Sequence, residues 1–301
     1  MTSLRLDLPR ARAAFPVAPV TRFAPSPTGY LHLGHVVNAI YTWGVARVLG
    51  GRVLLRVEDH DRVRSRPEFV EALLEDLAWL GFVPDEGRVP LLRQSERYSV
   101  YEGALDHLRR NGCVYGCDCS RAEIGGEQYA GRCRDRRLIE RPGLGLRVRI
   151  DPVLVHACDL VLGDLAQTPA EQCGDLLVKD RDGHWTYQFA ATVDDLVQGV
   201  TLVVRGADLQ SSTGRQVLLA SMLGRTTPAL FLHHPLILDA RGRKLSKSAG
   251  DTGVRELRAK GVSATEVIGI AAAAVGLIAA PAAVDASHVS ALFDPGSPSL
   301  G

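Results

Sequence analysis

The sequence predicts an α/β protein built on a parallel sheet and interrupted by an insertion. Three observations carry this. Residues 20–57 run strand, turn, helix, strand, the opening of a βαβ unit. A cysteine- and arginine-rich stretch then breaks the alternation from about 113 to 175. Strand-like apolar runs return at Asp175–Lys179 and Val200–Val204. At 301 residues the chain can bury a proper core and is long for one domain.

The elements follow in order. Residues 1–20 are rich in Arg, Pro and Ala, show no period, and read as a loose extension. Val20–Phe23 reads as a short buried strand, and Gly29 ends a turn. His35–Leu49 reads as a helix closed by Gly50-Gly51. Arg52–Val57 is a second strand, ending at Glu58-Asp59. Ligands of such sheets sit beyond the carboxyl ends of the strands, where the Arg22 loop and Glu58 both fall. Pro67 starts another helix with Ser65 as its cap, and Gly81 stops it. Glu96–Arg110 reads as an amphipathic helix closed by Asn111-Gly112. Leu146–Ile150 alternates like a half-exposed strand, residues 151–175 are irregular, and Leu209–Leu223 reads as a helix. The expected division is an extension at 1–20, a core at 21–112, an insertion at 113–175, the rest of the core at 176–250, and a short helical tail at 251–301.

Composition narrows the function classes. Acids and bases nearly cancel, at a net charge of +1, so the chain is no passive polyanion coat; an enzyme can still grip RNA through a local basic patch. The first twenty residues lack an apolar core, so no secretory leader and a cytoplasmic protein are expected. Val267–Val284 is uncharged and apolar, but it is rich in small residues and broken by Pro281. It reads as a packed helix and not a membrane span. Four of the six cysteines fall between Cys113 and Cys133, a clustering that points to metal before disulfide. Cys113, Cys117, Cys119 and Cys133 make the obvious four-sulfur set for zinc.

Two strings carry the chemistry. The first is His32-Leu33-Gly34-His35, just after Arg22-Phe23-Ala24-Pro25-Ser26-Pro27-Thr28-Gly29. The second is Lys244-Leu245-Ser246-Lys247-Ser248. The chain has four lysines against thirty-one arginines, and two of the four lie in this string, so they look chosen for a task. Lysine holds phosphate as a point charge on a flexible stem. Gly34 leaves room for a ligand near the backbone, the helix start is positive, and two imidazoles there can donate to phosphate oxygens. The plain alternative is that both histidines are ordinary polar caps.

The two strings resemble the HIGH and KMSKS signatures of class I aminoacyl-tRNA synthetases. The Arg22–Gly29 approach resembles their glutamate-specific branch. Cys117-x-Cys119 followed by Tyr129-x3-Cys133 resembles the short glutamyl-queuosine tRNA(Asp) synthetase family. The similarity runs from about Thr21 to about Ala249. It implies a Rossmann-like catalytic domain that joins L-glutamate to ATP through an adenylate, with Mg2+ on the pyrophosphate. It implies that His32, Gly34, His35 and Lys247 meet ATP, with Lys244 in support. It implies that Arg22, Phe23, Ala24, Pro25, Ser26, Glu58, Tyr187 and Arg205 line the amino-acid pocket. Two arginines suit carboxylates and Glu58 suits the ammonium. The alternative at this pocket is that Arg205 pairs with Asp208 or Asp195 and that Tyr187 packs in a core.

For the metal, the resemblance implies a structural Zn2+ on Cys117, Cys119, Tyr129 and Cys133, in place of the set containing Cys113. About fifty residues follow Ser248, too few for an anticodon-binding domain, so none is expected. In this family glutamate goes to the queuosine base in the anticodon of tRNA(Asp), and a monomer is expected. Competing readings are a truncated glutamyl-tRNA synthetase charging a tRNA 3′ end, a non-catalytic RNA-binding paralogue, and a general nucleotidyltransferase.

Overall fold

The computed structural model describes residues 6–61, 64–126, 128–238 and 253–294. Within the described residues the lead-in is not loose. The Asp7 carboxylate accepts from the Arg10 backbone N–H at 3.1 Å and caps a short helix, α1 (Leu8–Ala13). Leu8 and Ala11 are buried, and Ala11 joins the main core. Two apolar residues three apart make one helical turn, too little period to stand out among arginines and prolines.

Strand β1 (Val20–Phe23) leads through a loop into α2 (Leu33–Val48), which returns to β2 (Arg52–Val57), parallel to β1. Helix α2 is buried from Val36 to Ala46 apart from Asn38, so it runs through the centre of the core. Helix α3 (Pro67–Leu80) starts at its proline and stops at Gly81, whose φ of 84° opens the left-handed turn. Its cap position is Arg66, without a side-chain bond; the Ser65 cap is not formed. Short β3 (Leu92–Arg93) pairs with β2. A single 3-10 turn at Gln94–Glu96 then precedes α4 (Tyr98–Arg110), so that helix begins two residues later than the sequence suggests.

The insertion opens with β4 (Val114–Cys117), α5 (Arg121–Ile124) and β5 (Gly145–Val148), with β4 and β5 antiparallel. Next comes a hairpin, β6 (Val155–Asp159) and β7 (Gly163–Gln167), where the sequence reading has irregular chain. Its inward residues Val155, Ala157 and Asp159 alternate with His156 and Cys158. After α6 (Pro169–Gln172), β8 (Leu176–Lys179) pairs with β5 and completes the insertion sheet β4-β5-β8. That sheet therefore continues past residue 175. The hairpin within 151–175 belongs elsewhere.

Helix α7 (Tyr187–Val197) leads to β9 (Leu202–Gly206), α8 (Thr213–Met222) and β10 (Leu230–His234). The strand order is β7-β6-β10-β9, parallel except for the edge strand β7. Strand β9 lies beside β1, where the Thr201 N–H donates to the Val20 carbonyl at 2.9 Å. The hairpin is thus the far margin of the main sheet. One apolar core surrounds α2; a second lies between the insertion sheet and α4 and α7, built on Tyr101, Leu105, Val148, Val178 and Phe189.

The tail carries α9 (Val254–Ala259) and α10 (Ala264–Ala274), whose Val267, Ile268, Ala271 and Ala272 are buried. Among the described residues no helix is long and apolar enough to cross a membrane. Phe293 packs edge-on against Tyr41 of α2, with ring centroids 5.1 Å apart. Gly44 makes this possible: a Cβ there would lie 2.3 Å from the Phe293 ring.

Candidate active site

The first corner forms where β1 hands over to α2. The Gly34 N–H donates to His32 Nδ1 at 3.0 Å, and the His32 N–H donates to His35 Nδ1 at 3.1 Å. The two histidines are a reciprocal capping box, with ring centroids 4.0 Å apart. Capping and ligand binding are not rivals here. With Nδ1 accepting, the proton of each neutral ring sits on Nε2, a hydrogen-bond donor. Gly34 also makes room for its neighbour, since a Cβ there would meet the His32 ring at 2.8 Å. Beside this cap lies a cavity of about 220 Å3, walled by His32, His35, Asn38, Gly206 and His234. Lys244 and Lys247 lie outside the described residues. The described chain flanking them is at this corner: Ile237 lines the cavity, and the Val254 N–H donates to the Leu31 carbonyl at 3.0 Å.

The second corner brings together the strand ends. The Ser26 hydroxyl donates to the Glu58 carbonyl and the Glu58 N–H donates to the Pro25 carbonyl, both at 3.0 Å, so the 24–28 loop is clipped onto the end of β2. Arg22, Glu58, Tyr187 and Arg205 all face one region. Burial and the nearby Glu58 carboxylate raise the Tyr187 phenol, while Arg205 and Arg22 pull it the other way. Tyr187 sits at the first turn of α7 and is partly exposed. Phe23 does not join them. Side chains alternate along β1, so its ring turns into the core and packs against Trp43 at 5.3 Å.

Charge is handled differently for the two arginines. Arg22 donates from Nε to Asp195 at 3.0 Å and from Nη1 to the Val204 carbonyl at 3.1 Å. Arg205 forms no ion pair among the described residues, neither with Asp195 nor with Asp208. It donates to His233 Nε2 at 3.1 Å, to Gln216 Oε1 at 2.5 Å and to the Thr213 hydroxyl at 2.9 Å. Burial lowers its affinity for its own proton and neighbouring Arg22 adds to this, outweighing the opposing pull of Tyr187 and Asp195. The direct hydrogen-bond partners of Arg205 are thus all neutral, which leaves the buried guanidinium without an ion-pair partner among the described residues.

Sequence reading missed the group beneath the pocket. Arg56 is fully buried on β2. It donates to Asp195 at 2.8 Å, to Glu58 at 2.9 Å and to Gln198 at 2.9 Å. Burial alone would lower its proton affinity, but Asp195, Glu58 and Asp194 raise it well above the ordinary value. Asp194 in turn accepts from Gln94, Arg97 and Tyr101 at 2.8, 2.6 and 2.9 Å. The signal was present: an arginine inside the apolar run Val53-Leu54-Leu55-Arg56-Val57 cannot be buried without carboxylates.

A separate cluster holds Cys117, Cys119, Tyr129 and Cys133, all buried. The three sulfurs lie within 4.8 Å of one another, with Cys119 and Cys133 Sγ 3.5 Å apart. Thiolates on one tetrahedral zinc are about 3.8 Å apart, so the spacing fits the ion. The Tyr129 hydroxyl is 3.6 Å from Cys117 Sγ and accepts from the Cys133 N–H at 2.7 Å. Burial raises the Cys117 thiol, but hydrogen bonds from Tyr129 and Arg147 outweigh this and lower it. Cys119 is pushed up to about 11 by burial and by Cys133. Cys113 is not in the cluster; its thiol faces the Asn111 carbonyl at 3.4 Å.

The family described as tRNA synthetases class I (E and Q), catalytic domain, matches residues 19–270. A protein of Nitratidesulfovibrio vulgaris named glutamyl-Q tRNA(Asp) synthetase is 42% identical over 284 residues, covering 85% of this chain and 86% of that one. A protein of the same name from Symbiobacterium thermophilum is 40% identical over 298 residues and covers 91% of each. Among solved structures, a glutamate tRNA ligase from Elizabethkingia meningosepticum, in complex with its amino acid, superposes with a TM-score of 0.76 at 25% identity. That match takes in 92% of this chain and 65% of the ligase, so the chain spans about two thirds of that protein's length. Fold, site and relatives agree, and the chain belongs to the class I tRNA synthetases for glutamate and glutamine, within the glutamyl-Q tRNA(Asp) synthetase family.

Proposed function

We propose that the protein activates L-glutamate with ATP and transfers the glutamyl group to the queuosine base in the anticodon of tRNA(Asp). The observation that carries glutamate is Arg205, a buried cation whose protein partners are all neutral. An amide would leave that guanidinium without a direct counter-charge; a carboxylate supplies one. Arg22 supplies a second guanidinium and Glu58 a carboxylate for the ammonium. Tyr187, Ala24, Pro25 and Ser26 shape the pocket, with Phe23 contributing through its backbone.

The histidine cap receives the ATP phosphates. The Nε2–H groups of His32 and His35 and the positive end of α2 face the charge that builds there as a glutamate carboxylate oxygen attacks the α-phosphorus. Pyrophosphate leaves, and a queuosine hydroxyl then takes the acyl group and releases AMP. Lys247, supported by Lys244, is assigned to the same phosphates, and both flanks of its segment end at the cap. Bound Mg2+ would neutralise the pyrophosphate. Cys117, Cys119, Tyr129 and Cys133 are assigned to a structural zinc: four protein ligands leave no open position for catalysis. The work is assigned to the cytoplasm, where ATP and tRNA are both at hand.

The test is transfer of labelled glutamate to tRNA(Asp) lacking its 3′-terminal adenosine, with and without queuosine. Label only on the queuosine-containing RNA is expected. Label instead on intact tRNA(Glu) would mean that the acceptor is a 3′ end.

A further inference from the structure

We propose that His233 and Asp159 are positioning residues that hold Arg205 in the orientation needed for a substrate carboxylate, without neutralising it. This rests on the reading of Arg205 as the carboxylate receptor.

The hydrogen bonds dictate the direction of every proton. Asp159 is fully buried at the end of β6. Its Oδ1 accepts from the N–H groups of Val161 and Leu162, both at 2.8 Å. Its Oδ2 accepts from the His233 backbone N–H at 3.0 Å and faces His233 Nδ1 at 2.7 Å. A carboxylate only accepts, so His233 Nδ1 carries a proton, and Nε2 of the neutral ring is left as an acceptor. That nitrogen faces the Arg205 Nε–H at 3.1 Å. The other side is set by amides. Gln216 donates its NH2 to Gln188 at 2.8 Å, which turns its oxygen toward Arg205. Gln188 in turn donates to Ser212 at 2.9 Å. Three of the five guanidinium N–H groups are thereby fixed, and one N–H on each terminal nitrogen stays outside this set.

The imidazole is the important spacer. A carboxylate placed directly on Arg205 would orient it equally well and would also cancel its charge. With His233 between them, Asp159 fixes the geometry while the guanidinium keeps its attraction for an incoming anion. This also gives the β6–β7 hairpin a role in the amino-acid site, through a residue that no motif marks.

The experiment is ATP–pyrophosphate exchange with tRNA(Asp) present, reading KM for glutamate and for ATP separately. His233→Asn removes the acceptor at the Nε2 position. It should raise the glutamate KM about tenfold or more while the ATP KM stays within about twofold. His233→Gln places an amide oxygen near the Nε2 position and should bring the glutamate KM most of the way back. Asp159→Asn can accept or donate at Nδ1 and frees the ring to place its proton on Nε2, against Arg205; the glutamate KM should rise here too. Thermal unfolding identifies any variant that does not fold, and the Asn and Gln pair at 233 decides the matter if Asp159→Asn is lost. Equal changes in both KM values, or no difference between His233→Asn and His233→Gln, would overturn the proposal. Arg205→Ala is the reference. An unchanged glutamate KM in that variant would mean that the receptor reading has failed. A raised KM there with unchanged values in the other variants would remove only the positioning role.

Discussion

Arg22 and Asp195 stand 173 positions apart in the chain and meet in a buried ion pair, Nε to Oδ1 at 3.0 Å. The same Asp195 oxygen takes a hydrogen bond from Arg56 at 2.8 Å. One carboxylate on α7 therefore couples the end of β1 to β2. Burial would raise the Asp195 carboxyl, but Arg22 and Arg56 together hold it below the ordinary range.

Arg56→Met should be severely destabilising. It leaves Glu58 and Asp195 short of a buried counter-charge, and breaking such a group typically costs about 3–5 kcal/mol. Urea unfolding at neutral pH measures this directly. A change below about 1 kcal/mol would mean the carboxylates find other partners.

Acid should unfold the insertion early. Asp175 accepts from Tyr115 at 2.5 Å, from Arg134 at 2.8 Å and from the Ile150 N–H at 3.0 Å. Burial raises its carboxyl, but these partners win and lower it in the folded state. A depressed folded value means the stabilisation is complete above the unfolded value, about 3.9, and drains away as pH falls through the folded one. Urea midpoints should therefore drop as pH is lowered below about 4. Asp175→Asn should be weaker at pH 7 and lose part of that acid slope.

Metal content separates the two thiol sets. Cys113→Ser should keep its zinc, since that thiol lies outside the cluster. Tyr129→Phe should release zinc more readily to a chelator. The reverse pattern would restore the four-sulfur set.

Lys247→Ala should lower pyrophosphate exchange about a hundredfold or more, with an unaltered melting temperature. Exchange at the wild-type rate would falsify the phosphate assignment.

Gly44→Ala should destabilise by about 1–3 kcal/mol, because its Cβ would press into the Phe293 ring, 2.3 Å away. Adding Phe293→Leu should relieve part of that penalty. The two changes should then be non-additive in a double-mutant cycle.

Much of this was legible in the chain. The βαβ opening, the histidine pair on a helix start and the grouping of cysteines depend on local spacing, which sequence displays directly; Tyr129 in place of Cys113 came only from the family resemblance. What sequence hides is partnership at long range. Glu58 and Arg205 stood out as charges at strand ends, but nothing local told that Arg205 would face His233, Thr213 and Gln216 while Arg22 took Asp195. The hairpin at 155–167 was concealed because only one of its faces is buried and Asp159, an acid, occupies an inward position. The helix at Leu8–Ala13 was too short to announce itself.

Arg56 has one further consequence. It ties Glu58, Asp195 and Gln198 into one buried lattice, next to Asp194 and its own partners. No member can be exchanged alone without stranding another, so the amino-acid pocket resists stepwise evolutionary change. The insertion sheet shares its core with α4 and α7, and Tyr101 of that core donates to Asp194, whereas the cysteine cluster packs separately. Changes at the thiols therefore leave those charges untouched, while changes that move the insertion sheet reach them through Tyr101.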